Sequence, residues 1–375
     1  VSRSPAIPEL RADLLAWYRE NRRDLPWRRT GDPYAIWVSE IMLQQTQVAT
    51  VIPYYQAFLE RFPDVASLAA AGEEEVLARW SGLGYYRRAR MLHAGAKAVM
   101  ERHGGRVPRD PAEILALPGV GRYTAGAIAS IAFDLCEPIL DGNVRRVLSR
   151  WYALDDPPGS GLDRTLWERA ALLAQGPDPG DLNQALMELG ATVCSPKDPR
   201  CLTCPVRRHC EACRQGRPEA FPRPVPRART RTVQVAAAWI ERGDKVLLER
   251  PAGLSPFRGN WDLPAREIPA TGGKGRSTGA AGAGEAGAAG VLARELERDH
   301  GLEVAPEAQA GRARHGILDR RLDIAILPCR LLKGRVSGRK NLRWAPLAEL
   351  EEQAVSGVTH KIRRALAGRP GKQPV

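Results

Sequence analysis

Residues 117–143 read LPGVGRYTAGAIASIAFDLCEPILDGN, and the rest of the chain is organised around them. Leu117-Pro118-Gly119-Val120-Gly121 is a glycine hairpin, and the run 122–132 after it has a helical texture. Glycine lets the backbone turn tightly and approach a ligand closely. A loop that opens a helix aims unpaired N–H groups outward, where they hold a phosphate well. Asp141 follows an apolar run and precedes Gly142-Asn143. Taken singly, Pro-Gly-x-Gly is common in ordinary loops, and an Asp before Gly-Asn is more often a turn former than a catalyst. Hairpin, helix and downstream carboxylate together are more specific.

On the N-terminal side the pattern is helical. Over 8–20, Leu10, Leu14, Leu15 and Tyr18 share one face. Residues 33–47, PYAIWVSEIMLQQTQ, read as one helix starting near Tyr34. Glu40 lies in it among Ile36, Trp37, Ile41 and Leu43. Spacing alone favours an exposed helix carboxylate. The apolar neighbours keep open a buried one, whose pKa would rise far enough to hold a proton near neutrality. Further helices are expected over 49–62, 65–80 and 111–117. Residues 82–86 form a glycine turn leading into a basic helix with Arg87, Arg88, Arg90 and Lys97. The tyrosines there, Tyr85 and Tyr86, are ordinarily anchors; beside DNA they become a wedge between bases. Beyond the hairpin, 143–153, 163–174 and 181–193 continue the helical pattern, and no strand alternation occurs before about residue 232.

Cys194, Cys201, Cys204 and Cys210 follow, spaced C-x6-C-x2-C-x5-C. Four thiols in one short loop are a strong metal-site signal, and the spacing suits zinc and iron–sulfur alike. Cys213 is a spare that competes with Cys210 as fourth ligand. Cys136 and Cys329 lie in apolar runs and read as inert core thiols. Between 194 and 231 there are ten Lys/Arg and three Asp/Glu, so about half of the chain's net charge of +13 falls there. Such a basic excess suits a polyanion such as nucleic acid, or an anionic membrane surface.

The 375 residues suggest two or three domains at ~150 residues each. No apolar run approaches ~18 residues, so no membrane-spanning helix is expected. The first residues lack the apolar stretch of a secretory signal. The chain therefore reads as cytoplasmic, and its Ala/Arg-rich composition hints at a GC-rich bacterium. After Thr232 the texture changes. Val233, Val235 and Ala237 alternate with polar or small residues, and Lys245-Val246-Leu247-Leu248 follows a Gly-Asp turn, as in a hairpin. Strands are expected over 323–332 and at Arg343-Trp344, and helices over 291–300 and 359–367. Residues 271–290, almost all Gly and Ala, read as a flexible insertion.

Residues 8–220 closely resemble the adenine DNA glycosylases (the MutY family) of the helix-hairpin-helix base-excision glycosylases. The pieces that carry the resemblance are LPWR, PYAIWVSEIMLQQTQVATVIPYY, GLGYYRRAR, LPGVGRYTAGAI, ILDGNVRRVLSR, NQALMELGATVC and the cysteine loop. A weaker likeness over 233–366 includes GLSPFRGNWDLPA, where that family places a Nudix-like domain. The resemblance implies a mostly α N-terminal region, a six-helix barrel plus iron–sulfur domain, over 1–220, with the helix-hairpin-helix at about 117–132 and the cluster loop at 194–213. A basic linker over 221–232 and a small α+β Nudix-like domain over 233–368 follow.

The resemblance also implies roles. Glu40 would protonate N7 of an extruded adenine, and Asp141 would stabilise the oxocarbenium-like sugar. Tyr123 and Asn143 would orient Asp141 and the sugar. Arg28 and Gln184 would line the adenine pocket, with Leu43 and Thr46 among the substrate contacts. Gln45 and Tyr85 would fill and wedge the duplex, while Gly119, Val120 and Gly121 would grip phosphate. Cys194, Cys201, Cys204 and Cys210 would hold one [4Fe–4S] cluster that folds its loop against phosphate. The implied partner is double-stranded DNA carrying adenine opposite 8-oxoguanine or guanine, bound by a monomer.

Related glycosylase-lyases carry a lysine at the position of Tyr123, whose amine opens the sugar through a Schiff base. Tyr123 forms no imine, which disfavours a rival reading as a lyase on oxidised pyrimidines. A second rival, a non-catalytic cluster-bearing protein that senses damage, is disfavoured by the intact Glu40 and Asp141. Two departures stand out. Ile317-Leu318-Asp319 replaces a Phe-Ser-His-type triplet that reads 8-oxoguanine, which leaves lesion reading to neighbours such as Arg314, Arg320 or Arg321. In the Nudix-like box, Arg298-Asp299 stands where a metal-binding glutamate pair belongs, so no pyrophosphatase activity is expected.

Overall fold

The computed structural model describes residues 7–157, 159–224, 230–250, 261–269, 281–317, 319–350, 353 and 355–367, with backbone only at 160, 281–286 and 367. The chain divides into two compact units, Val1–Glu73 with Arg87–Pro226, and Glu74–Tyr86 with Arg227–Val375.

The first unit is helical. In order it carries α1 (Ile7–Asn21), α2 (Pro33–Leu43), α3 (Val48–Arg61) and α4 (Val65–Ala70); α5 (Glu73–Arg79) then falls almost wholly in the second unit. It resumes with α6 (Arg87–His103), α7 (Pro111–Leu115), α8 (Arg122–Phe133), α9 (Gly142–Trp151), α10 (Ser160–Ala174), α11 (Pro179–Thr192) and the single turn α12 (Glu211–Arg214). The helix expected over 65–80 is two helices, α4 and α5, broken at Ala71-Gly72. Aspartates start four helices by accepting backbone N–H bonds: Asp32 for α2, Asp64 for α4, Asp110 for α7 and Asp141 for α9. Each satisfies donors that the first helical turn leaves unpaired. The apolar stripe of α1 packs with α8, α9, α10 and α11 around Tyr18, Leu148, Trp151, Leu166, Leu173 and Leu186.

α7, the turn at 116–121 and α8 form the helix-hairpin-helix. Gly119 sits at φ +77°, where a side chain is strained, and an added Cβ would lie 2.4 Å from Met91 Cβ. Glycine is therefore required there both for the turn and for the space.

The second unit contains β1 (Arg231–Trp239), β2 (Glu241–Arg242), β3 (Lys245–Glu249), β4 (Ala265–Glu267), α13 (Ala281–His300), β5 (Glu303–Pro306), β6 (Gly311–Ile317), β7 (Arg320–Lys333), β8 (Leu342–Pro346) and α14 (Gly357–Ala367). One sheet runs β4-β1-β7-β5 with β6 also on β7, and a second runs β2-β3-β8. β1 and β7 are parallel, with Val235 opposite Ile324; the other pairings are antiparallel. From Val235 to Trp239, β1 is buried on both faces. Val235, Ala237 and Trp239 enter a core with Val358 and Ile362 of α14, while Ala236 and Ala238 enter another with Leu292 and Leu296 of α13. This explains the strand's weak alternation, since a strand covered on both sides reads as a continuous apolar run.

The structure differs from the sequence pattern at three further places. The Gly/Ala-rich stretch is helical from Ala281, because alanine is the strongest helix former and its abundance outweighs the glycines; residues 271–280 lie outside the described residues. The linker expected over 221–232 gives way to strand at Arg231, and its residues 225–229 lie outside the described ones. Cys136 is exposed, in the loop after α8, whereas Cys329 is buried as expected. Among the described residues no helix is long and apolar enough to cross a membrane.

Candidate active site

The first unit contains a cavity of about 510 Å³, within the range of ~300–1,000 Å³ usual for small-molecule sites. Arg28, Glu40, Leu43, Gln45, Thr46, Tyr123, Asp141, Asn143 and Gln184 all line it. These residues come from α2 and the turn after it, α8, α9, α11 and the short turn Pro26–Arg28. Tyr85 falls in the second unit, 44% exposed and at φ +48°. Gly119, Val120 and Gly121 do not line the cavity.

Glu40 is only 4% exposed. The expected exposed carboxylate is wrong because α2 is buried all round, from Tyr34 to Met42. Burial pushes the Glu40 carboxyl up to about 7, the nearby Asp141 charge adds to the rise, and the Tyr123 hydrogen bond and Arg28 oppose it. Tyr123 Oη donates to Glu40 Oε2 at 2.6 Å and also touches Met187 Sδ at 3.2 Å. Burial, with both carboxylates nearby, holds the phenol well above its ordinary pKa, so it stays a donor.

Asp141 is at once a cap and a cavity group. Its Oδ1 accepts from Val144 N at 2.7 Å and its Oδ2 from Asn143 Nδ2 at 3.0 Å. Burial raises its pKa, while the α9 N-terminal amides, Asn143 and Arg146 favour the anion. Arg146 donates to Asn143 Oδ1 at 2.9 Å, to the Gly190 carbonyl at 2.7 Å and to the Cys194 carbonyl at 2.7 Å. One guanidinium therefore ties the residues beside Asp141 to the start of the cysteine loop. Gly190 keeps α11 close to this group, since an added Cβ would lie 2.5 Å from Asn143 Cβ.

Two residues escaped the sequence reading. Glu188, fully buried, accepts from Arg28 at 2.8 Å and from Arg23 at 2.7 and 2.8 Å. Burial alone would raise its pKa, but the two arginines hold it at about 2. It stands four positions after Gln184, on the same face of α11, and that spacing was the available signal. Arg88 donates to the carbonyls of Ile41 and Met42, at 2.8 and 3.0 Å, and to Thr46 Oγ1 at 3.2 Å. It closes the end of α2 at Leu43, earlier than the expected 47, and fixes the turn in which Gln45 adopts φ +56°.

Cys194, Cys201, Cys204 and Cys210 line one small cavity, and Cys213 joins them. Arg150 donates to Cys194 Sγ at 3.2 Å and to the Ser195 and Pro196 carbonyls at 2.7 and 3.1 Å. Burial, reinforced by the neighbouring thiols, pushes Cys204 and Cys210 up to about 12. An all-sulfur donor set beside a fixed cation fits a soft, thiolate-bound centre. Among the described residues, no group of three or more His, Cys, Asp or Glu is set to hold a single metal ion.

Residues 38–171 match the family model described as HhH-GPD superfamily base excision DNA repair protein. An adenine DNA glycosylase of Rattus norvegicus is 52% identical over 230 residues, covering 58% of this chain and 44% of that protein. One of Mycolicibacterium smegmatis is 47% identical over 200 residues, covering 53% of this chain and 67% of that protein. Among solved structures, a thermostable thymine-DNA glycosylase is similar at TM-score 0.51 and 31% identity, over 56% of this chain and 97% of the other. The chain spans less than half of the rat and human relatives' length.

Proposed function

The chain belongs to the adenine DNA glycosylase family, and from that premise we infer that it is a monofunctional DNA N-glycosylase of base excision repair. It hydrolyses adenine mispaired with 8-oxoguanine or guanine, acting as a monomer on double-stranded DNA. The observation that carries this reading is the opening of Glu40 and Asp141 onto one cavity.

The chemistry follows from the two environments. The apolar surroundings keep Glu40 protonated near neutrality, so it serves as general acid to N7 of an extruded adenine and turns the base into a neutral leaving group. Asp141, supported by the α9 amides and Asn143, presents an anion to the cationic sugar. Water completes the hydrolysis. Tyr123 carries no amine, so no Schiff base forms and no strand is cut. Arg28, held by Glu188, and Gln184 supply polar contacts to the adenine edge. Gln45 and Tyr85 fill and wedge the duplex during extrusion, which costs a few kcal/mol and least at a mispair. The hairpin amides at Gly119, Val120 and Gly121 hold phosphate.

Cys194, Cys201, Cys204 and Cys210 would hold a [4Fe–4S] cluster, which supplies a rigid brace for the basic loop and no hydrolytic chemistry. Opposite-base reading falls to the second unit. Ile317 and Asp319 there offer neither the hydroxyl nor the imidazole of the family's triplet, which shifts recognition toward Arg314, Arg320 and Arg321.

Duplexes with adenine opposite 8-oxoguanine, guanine or thymine test the proposal. Adenine release from the first two, without a borohydride-trapped adduct, is the expected result. A trapped adduct, or no release from any duplex, contradicts it.

A further inference from the structure

In the first unit, the Tyr123 hydroxyl has one proton and two acceptors. Its Oη stands 2.6 Å from Glu40 Oε2 and 3.2 Å from Met187 Sδ. Met187, half-buried on α11, lines the same cavity as Glu40 and Tyr123. The hydrolysis proposed above uses the carboxyl and the phenol and leaves this sulfur without a part.

The charge of Glu40 decides which acceptor takes the proton. A carboxylate only accepts, and a carboxylic acid also donates; a hydroxyl donates once and accepts on its lone pairs, and a thioether accepts weakly. Beside the anion, Tyr123 donates to Glu40, because a charge-assisted bond outweighs one to neutral sulfur. Beside an acid protonated on Oε2 the same contact reverses, so that the carboxyl donates and the phenol oxygen accepts. The hydroxyl proton must then point elsewhere, and Met187 Sδ is the acceptor within reach. A buried donor without an acceptor is costly, so a pocket lacking the sulfur would penalise the acid form. Burial lifts Glu40 to about 7, so both forms occur near neutrality. Asp141 at the head of α9 and Arg28 from the turn Pro26–Arg28 also face the carboxyl. On α11, Glu188 is paired with Arg23 and Arg28, and on α6, Arg88 holds the carbonyls that close α2. α3 reaches the cavity with Val48. Among the described residues, none of these other groups hydrogen-bonds the Tyr123 hydroxyl.

We propose that Met187 is a positioning residue for the proton donor: its sulfur receives the Tyr123 hydroxyl while Glu40 holds a proton, and yields it to the carboxylate once that proton has passed to adenine. The identity of the reaction rests on the glycosylase reading; the switch itself rests on the three side chains. As Glu40 gives its proton to N7, the hydroxyl turns from sulfur to the new anion, and hydrogen-bond support grows with the charge. Support that strengthens as charge develops lowers the barrier rather than merely tightening binding. The contact between Glu40 and Tyr123 persists throughout, and only its direction changes.

The test titrates Glu40 in the full chain without DNA, by carboxyl-carbon NMR of labelled glutamate, the signal being the one that Glu40→Gln removes. The pH profile of single-turnover adenine release is measured alongside. Met187→Leu keeps the bulk and removes the acceptor. Its Glu40 midpoint, and the alkaline limb of its rate profile, should fall by roughly half a pH unit. Met187→Gln supplies a stronger acceptor and should bring both to the wild-type value or above, which also serves should Met187→Leu not fold. In a Tyr123→Phe background, Met187→Leu should shift neither. An unchanged midpoint in Met187→Leu would overturn the proposal, because it places the proton on the other carboxyl oxygen. So would a lowered midpoint in Met187→Gln, or an equal shift in the Tyr123→Phe background, which would make the effect one of burial alone. Midpoints that move as expected in a chain that releases no adenine would uphold the hydroxyl switch and contradict the glycosylase reading.

Discussion

Tyr123 Oη lies 2.6 Å from Glu40 Oε2 and donates to it. The bond aims the carboxyl into the cavity and favours its ionised form, against the burial that favours the protonated one. Tyr123→Phe keeps the ring and removes the donor. A hydrogen bond to a charged group contributes about 1.5–3 kcal/mol. The single-turnover rate of adenine release should therefore fall about 10–100-fold, and the alkaline limb of its pH profile should move to higher pH.

With Glu40 at about 7 against an ordinary 4.5, the rate should be flat on the acid side and fall above neutrality, tenfold per pH unit. The same shift has a stability consequence. The folded state holds this proton more tightly than the unfolded one, so the contribution is fully present below about 4.5 and is lost as pH rises through about 7. Thermal melts of wild type and Glu40→Gln across that window should converge on the acid side and diverge at high pH, with Glu40→Gln the flatter of the two.

Glu188 carries the opposite sign. Its folded value of about 2 lies below 4.5, so its stabilisation is present above about 4.5 and lost as pH falls toward 2. Glu188→Ala leaves Arg28 buried without its carboxylate, which costs about 3–5 kcal/mol. Arg23→Ala should cost nearer ~1 kcal/mol, because the Arg23 side chain is 41% exposed. Urea denaturation at neutral pH distinguishes the two; equal costs would contradict the burial argument.

Gly190→Ala places a Cβ 2.5 Å from Asn143 Cβ and 3.1 Å from its Cα. Overpacking of this kind costs about 1–3 kcal/mol, and here it also displaces the side chain that supports Asp141. The expected outcome is a lowered melting temperature with a reduced turnover rate and unchanged duplex affinity. Asn143→Ala should reproduce the rate loss with less loss of stability.

The motifs between 117 and 143 and the four cysteines were legible because each is local: a turn, a cap and a short loop declare themselves within a few residues. Burial was less legible. Glu40 reads as exposed because helical spacing identifies one covered face, and α2 is covered on every side. Glu188 and Arg88 act through partners 160 and 47 positions away in the chain, Arg28 and Ile41, which no local pattern encodes. The Gly/Ala stretch misled in another way: its composition suits a flexible segment, yet Ala288, Leu292 and Leu296 fall four apart and pack on the sheet.

The most direct measurement is single-turnover adenine release from a duplex with adenine opposite 8-oxoguanine, comparing wild type with Glu40→Gln, with duplex affinity determined in parallel. General acid catalysis contributes about 10²–10⁴-fold, so the variant should bind the duplex as wild type does and release adenine at least about 100-fold more slowly. A variant that matches the wild-type rate would contradict the assignment of the proton donor.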